Sequence, residues 1–206
     1  MMKNTYPLPL IPDIINRISD SKARYFTKLD VCWGYNNVQI KEGDEWKATC
    51  QTNQGLFEPL VMFFSLINSP ATFQTMMNDI FKDLIDEGYV AVYMDDILVY
   101  TRTIKHHQEV MTWVLDLLRK HWLYLKAEKY TFECSMVEYL GLVLSERRVE
   151  MDPIKITRVR DWPTPKNATE VQSFVGFVNF YHRFIPEFSH VATPLHHLTK
   201  KAEPWR

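Results

Sequence analysis

Residues 89–100, Tyr-Val-Ala-Val-Tyr-Met-Asp-Asp-Ile-Leu-Val-Tyr, restrict the possible folds more than any other stretch. Two adjacent carboxylates, Asp95 and Asp96, separate two β-prone apolar runs carrying Val90, Val92, Ile97 and Val99. A short acidic break between two strands reads as a tight hairpin. Two acids at the tip of a buried hairpin repel one another unless a cation neutralises them. An isolated Asp-Asp pair is more often an ordinary surface turn. Here both flanks are apolar, which sets the carboxylates beside a core and favours a metal site.

The 206 residues suffice for one large domain or two small ones, and 46% hydrophobic residues support a packed core rather than disorder. With only six glycines and no low-complexity tract, a long flexible linker is not expected. The N-terminal residues lack the apolar stretch of a signal peptide. No run approaches the roughly 18 apolar residues of a membrane helix. Cys32, Cys50 and Cys134 are odd in number and widely spaced, which suggests a reducing compartment without a disulfide framework. They lack zinc-site spacing, and the pairs His106-His107 and His196-His197 read as solvated surface residues. Residues 1–146 hold 14 basic and 19 acidic side chains, whereas residues 147–206 hold 10 and 6. That asymmetry fits a polyanion lying across the C-terminal segment, although solvated helices also carry such an excess.

Along the chain, residues 5–12 are extended and punctuated by proline, and Asp13 is expected to cap a short helix to Ile18. Strands are expected at 25–31, 38–40, 47–52 and 56–62, with a turn at Trp33-Gly34-Tyr35. Ser69-Pro70 predicts a helix with serine at the cap and proline first, ended by Gly88. An amphipathic helix over 104–120 and short strands at 123–125 and 139–144 follow. A helix then starts at Asp152-Pro153. Another spans 169–184 with an aromatic face (Phe174, Phe177, Phe180, Tyr181, Phe184) read as core packing, and the last spans 187–199. The mixture is α+β.

Asp30 is the third acid of interest, since it also ends an apolar strand. Three carboxylates on two neighbouring strands could hold two divalent cations, the arrangement that serves phosphoryl transfer. All-oxygen ligands point to magnesium. Tyr35, on the turn after Asp30, could floor a sugar pocket or be a core residue; spacing alone favours the core.

Several stretches resemble the reverse transcriptase of gypsy-type long-terminal-repeat retrotransposons, in that family's order and spacing. They are Tyr6-Pro7-Leu8-Pro9-Leu10-Ile11, Phe26-Thr27-Lys28-Leu29-Asp30, Gly34-Tyr35 and Asn68-Ser69-Pro70-Ala71-Thr72-Phe73-Gln74. Tyr93-Met94-Asp95-Asp96-Ile97-Leu98, Tyr139-Leu140-Gly141, Trp162-Pro163-Thr164-Pro165 and Phe184-Ile185-Pro186 complete the series. The resemblance implies a right-hand polymerase palm (an antiparallel sheet with helices packed on it), then connecting strands and a helical thumb. Residues 1–146 would be the palm with a remnant of the fingers. Residues 147–206 would be a helical thumb or connection leading towards an absent ribonuclease H-like domain.

The resemblance also implies roles. Asp30, Asp95 and Asp96 would be the catalytic metal ligands for two Mg2+ ions, with Mn2+ as substitute. Val31, through its backbone, with Tyr35 as the gate sensing the sugar 2′-position, Lys47, Phe64 and Ser65 would bind the nucleotide. Pro70, Gln74, Tyr93, Met94, Tyr139, Leu140 and Gly141 would bind primer and template, with Lys166 and Arg183 as thumb contacts to phosphate. Implied partners are an RNA or DNA template with primer, deoxynucleoside triphosphates, and a polyprotein with ribonuclease H and integrase, in a cytoplasmic virus-like particle or the nucleus. Secretion and membrane attachment are not expected.

The chain departs from the family where arginine is usual at Cys32, glycine at Ser65, threonine at Ile67, cysteine at Tyr130 and arginine at His182. If the Ser65 loop requires positive φ, serine is strained there. Two alternatives to an active polymerase stay open: a decayed, truncated remnant that at most binds nucleic acid, and a recruited binding module.

Overall fold

The computed structural model describes residue 4, residues 6–126 and residues 130–200. The chain divides into two compact units: Met1–Tyr139 with Leu144–Arg148, and Leu140–Val143 with Val149–Arg206. The break expected after residue 146 falls between two strands, β8 and β9, described below.

The first unit is built on a four-stranded antiparallel sheet of order β4-β5-β1-β6, comprising Val90–Tyr93, Asp96–Thr101, Tyr25–Asp30 and Thr131–Cys134. β1 lies beside β5 with Tyr25 opposite Thr101 and Asp30 opposite Asp96. Alternation sends Leu29, Ile97, Val99, Val90 and Val92 to one core. The helices α2 (Ser69–Ile80), α3 (Lys82–Asp86) and α4 (Ile104–Lys120) supply the other side of it: Phe73 and Met77 from α2, Leu84 from α3, and Val110, Val114 and Leu118 from α4. Burying each such side chain contributes about 1.5–3 kcal/mol. α4 covers the predicted residues because its apolar positions keep helical spacing.

His107 corrects the solvated reading. It is wholly buried, its Nε2 2.7 Å from Thr27 Oγ1 and its Nδ1 3.0 Å from Thr101 Oγ1. Thr27 Oγ1 also accepts from Glu133 N. Thr101 donates to Thr103 O and accepts from Nδ1–H. Burial favours the neutral ring and holds its pKa below the ordinary 6.5, against Glu133, which acts to raise it.

Other elements differ from expectation for local reasons. α1 runs Ile11–Ser21; Asp13 lies inside its first turn, not at the cap. Residues Glu45–Ala48 form a 3-10 turn, so only β2 (Cys50–Thr52) and β3 (Gly55–Phe57) remain of the strands expected over 47–62. Ser69 is the first residue of α2 rather than its cap, because its hydroxyl donates to Phe63 O at 2.9 Å. That helix breaks at Phe81, before Gly88. The stretch 139–144 is two strands, β7 (Met136–Tyr139) and β8 (Leu142–Ser145), which form a sheet with β9 (Arg148–Met151). Leu140 and Gly141 both have positive φ (50° and 77°), as a two-residue type I′ loop requires.

In the second unit, Asp152 caps α5 (Pro153–Arg160) by accepting from Ile154 N. α6 spans Ala168–Asn179; Asn167 caps it by accepting from Glu170 N, and Glu170 reaches back to Lys166 N. Val171, Val175 and Val178 are its buried positions, spaced by four and three. The aromatic face is thus only partly core: Phe174 and Phe177 pack on Trp162, whereas Phe180 and Phe184 are exposed. α7 covers Phe188–Leu198. Among the described residues no helix is long and apolar enough to cross a membrane.

Candidate active site

Sheet register brings the three acids to one end of the sheet. Asp30 closes β1 directly opposite Asp96, which opens β5. Asp95 occupies the second loop position of the β4–β5 hairpin, and its carbonyl accepts from Val31 N at 3.0 Å. Two carboxylates thus stand on facing strand ends and a third on the joining loop. The pKa of Asp96 is raised, first by its burial and further by Asp95 and Asp30, while Lys28 opposes.

Two lysines balance this charge. Lys28 Nζ stands 3.4 Å from Asp96 Oδ1, and Lys126 Nζ 3.0 Å from Asp30 Oδ1. The Asp30 side chain, only 10% exposed, raises the Lys126 pKa through that hydrogen bond and its charge. Lys126 reaches the site because Leu125 bridges Val31 and Lys126 N donates to Asp30 O. With Asp30 and Asp96 each engaged by an ammonium, no group of three acids, histidines or cysteines among the described residues is gathered to hold a metal ion. The donor set itself, three carboxylates and no soft ligand, has the chemistry of a magnesium site.

Tyr35 lies on the 3-10 turn Gly34–Asn37, which packs on α2; a Cβ on Gly34 would meet Phe73 at 2.8 Å. The Tyr35 ring meets Phe64 (5.9 Å) and Phe73 (5.4 Å) edge-on. Its phenol is raised by burial and then by Asp95 and Tyr93, which puts it within electrostatic reach of the acids. Phe64 is 80% exposed and Ser65 lies beside it on the same turn. Ser65 does not have positive φ, so the backbone strain expected for a serine there is not present. Lys47 is on the 3-10 turn Glu45–Ala48, paired with Asp44 and over the Trp46 ring.

Pro70 lies in the first turn of α2, and Tyr93 and Met94 are half-buried at the hairpin. Two residues expected at primer and template are buried. Gln74 is wholly buried, with its amide spent on the hairpin. Tyr139 is wholly buried too; its hydroxyl donates towards Asp96 O at 3.3 Å and Ala91 O at 3.5 Å. Leu140 and Gly141 form the β7–β8 loop, with Gly141 close to the Tyr181 hydroxyl. Lys166 and Arg183 are exposed.

Sequence reading missed both lysines. Lys28 carries a usable signal, since it lies two positions before Asp30 on the same strand face. Lys126 carries none, because only tertiary pairing brings it across.

Three carboxylates near one end of an antiparallel sheet, with helices packed on one of its faces, form the arrangement that the resemblance to a polymerase palm implies. Residues 1–144 match the family model described as "Reverse transcriptase (RNA-dependent DNA polymerase)", and the chain belongs to that family. It is 36% identical over 203 residues to the Transposon Tf2-3 polyprotein of Schizosaccharomyces pombe, and 35% identical to the Tf2-7 polyprotein. The matches cover 98% of this chain and 15% of each polyprotein, so the chain spans a small part of the relatives' length. The likeness to Tf2 agrees with the gypsy-type resemblance. In fold it is similar to a foamy viral protease-reverse transcriptase in complex with RNA/DNA hybrid (TM-score 0.84, 21% identity, 100% of this chain, 28% of that one). A second foamy viral structure, in complex with double-stranded DNA, gives a TM-score of 0.82 at 23% identity, over 89% of this chain and 33% of that one. The chain thus has an α+β fold of the reverse-transcriptase kind and belongs to a family that generally uses divalent metal ions.

Proposed function

We propose that the chain provides the catalytic palm and thumb of an RNA-directed DNA polymerase within a retrotransposon polyprotein. Its substrates are deoxynucleoside triphosphates and a primer on an RNA or DNA template. The convergence of Asp30, Asp95 and Asp96 carries the reading. These three residues would hold two Mg2+ ions, or Mn2+ in their place, which when bound supply activation of the attacking 3′-oxygen and charge stabilisation at the phosphoryl group. The chain's own residues do the rest. Tyr35, wedged between Phe64 and Phe73, presents its ring where a sugar 2′-hydroxyl is sensed. Lys28 and Lys126 offset the mutual repulsion of the carboxylates. A ribonuclease H and an integrase would complete the polyprotein, acting in a virus-like particle or the nucleus.

The decisive experiment is magnesium-dependent primer extension by the polyprotein's polymerase, with and without Asp95→Asn. The variant is expected to lose extension while still binding primer–template. Near-normal extension by the variant would falsify the assignment. A second reading, nucleic-acid binding without synthesis, is favoured by the lysine pairing of Asp30 and Asp96. Retained primer–template binding by the wild type, with no extension in Mg2+ or Mn2+, would select it.

A further inference from the structure

Gln74 is 0% exposed, and a buried primary amide must place two donors and one acceptor. Its Nε2 donates to Asn78 Oδ1 at 2.8 Å and to Val92 O at 3.2 Å, and its Oε1 accepts from Met94 N at 2.7 Å. The amide cannot be flipped, because Met94 N–H needs an acceptor and Val92 O a donor. One side chain from α2 thus grips the last turn of β4 and the first loop residue of the carboxylate hairpin. That loop residue is in the left-handed region, Met94 having φ 54° without being glycine. Such a backbone persists when its surroundings over-determine it. Tyr139 supports the same hairpin from β7 through Asp96 O.

We infer that Gln74 is a positioning residue for the metal-ligand hairpin. By fixing the left-handed turn at Met94 it aims Asp95 and Asp96, and it contacts neither template nor primer. The metal readout of this inference rests on the polymerase reading of the three acids; the backbone readout does not.

The test uses the 206-residue chain, with Mn2+ alone as probe, followed by electron paramagnetic resonance of the free ion. Gln74→Leu should weaken Mn2+ binding about tenfold, the weight of one hydrogen bond well placed in a protein interior. Adding Met94→Gly should recover most of that loss, because glycine accepts positive φ unaided. Hydrogen exchange at the Met94 amide is the second measurement. It should be slow in the wild type and fast in Gln74→Leu. Unchanged Mn2+ affinity in Gln74→Leu, or a weakening that Met94→Gly does not relieve, overturns the inference. So does rapid Met94 exchange in the folded wild type, which needs no variant to fold. A wild type that takes up no Mn2+ overturns the polymerase reading instead, and the inference is then decided by the Met94 exchange rates.

Discussion

Two hairpins with two-residue loops take their shape in opposite ways. In the β7–β8 hairpin the loop is Leu140-Gly141, both with positive φ, and the second position is the residue that tolerates it best. In the β4–β5 hairpin the loop is Met94-Asp95, with positive φ at Met94 and no glycine. The first turn is written largely into its own two residues. The second is imposed from outside, by Gln74 on α2 and by Val31 N on the Asp95 carbonyl. A turn that carries two of three site carboxylates therefore depends on distant chain. Its geometry can be adjusted by contacts that leave the acids untouched.

The comparison can be broken most sharply at Gly141. Gly141→Val should cost about 1–3 kcal/mol, since a β-branched residue is strained at φ 77° and its Cβ would stand 3.3 Å from the Tyr181 hydroxyl. Urea unfolding measures this, and a loss near zero would show that the loop does not rely on its glycine. Next in size is His107, behind the far end of β5. Its neutral form is the one that fits, so its contribution is present above the ordinary value of 6.5 and is lost as pH falls through the lower folded value. Melting temperature should therefore drop between pH 7 and 5, and His107→Gln should flatten that drop. An equally steep drop in the variant would assign it to other groups.

Tyr35 sharpens the comparison from the substrate side, because its phenol feels Asp95 and Tyr93 of the imposed turn. Tyr35→Ala should raise incorporation of ribonucleotides relative to deoxyribonucleotides several-fold in the polymerase. An unchanged ratio returns the ring to plain packing against Phe73. The smallest effect is expected at Met94. With Gln74 intact, Met94→Gly should move stability by less than about 0.5 kcal/mol, as relief of the left-handed backbone and the entropy of glycine nearly cancel. A destabilisation as large as that of Gly141→Val would mean the methionine side chain, not the backbone, holds the turn.

The same contrast explains what could be read from the chain. β1 and the β4–β5 hairpin were legible as β-prone apolar runs that stop at Asp30 and Asp95, and α4 as a 3.6-residue period. The break inside 139–144 has one visible mark, Gly141, but Leu140 is apolar like its neighbours, so the stretch reads as a single strand. The 3-10 turn Glu45–Ala48 was hidden because a single turn leaves no periodicity. Ser69 was misread because its hydroxyl found Phe63 O instead of the helix end. The burial of Gln74, His107 and Tyr139 is a matter of which elements lie side by side, and no local pattern records it.

The lysine pairs have a consequence of another kind. Three carboxylates matched by two ammonium groups behave as a small ion exchanger, loaded with monovalent counter-ions that are tethered to the resin. Bulk salt displaces free counter-ions by mass action, but tethered ones return at high local concentration. A divalent ion held by Asp30 and Asp96 would compete with Lys28 and Lys126 for the same carboxylate oxygens. Metal occupancy and release of cationic side chains would in this way be linked, and the ammonium groups so released would be available to a nearby polyanion.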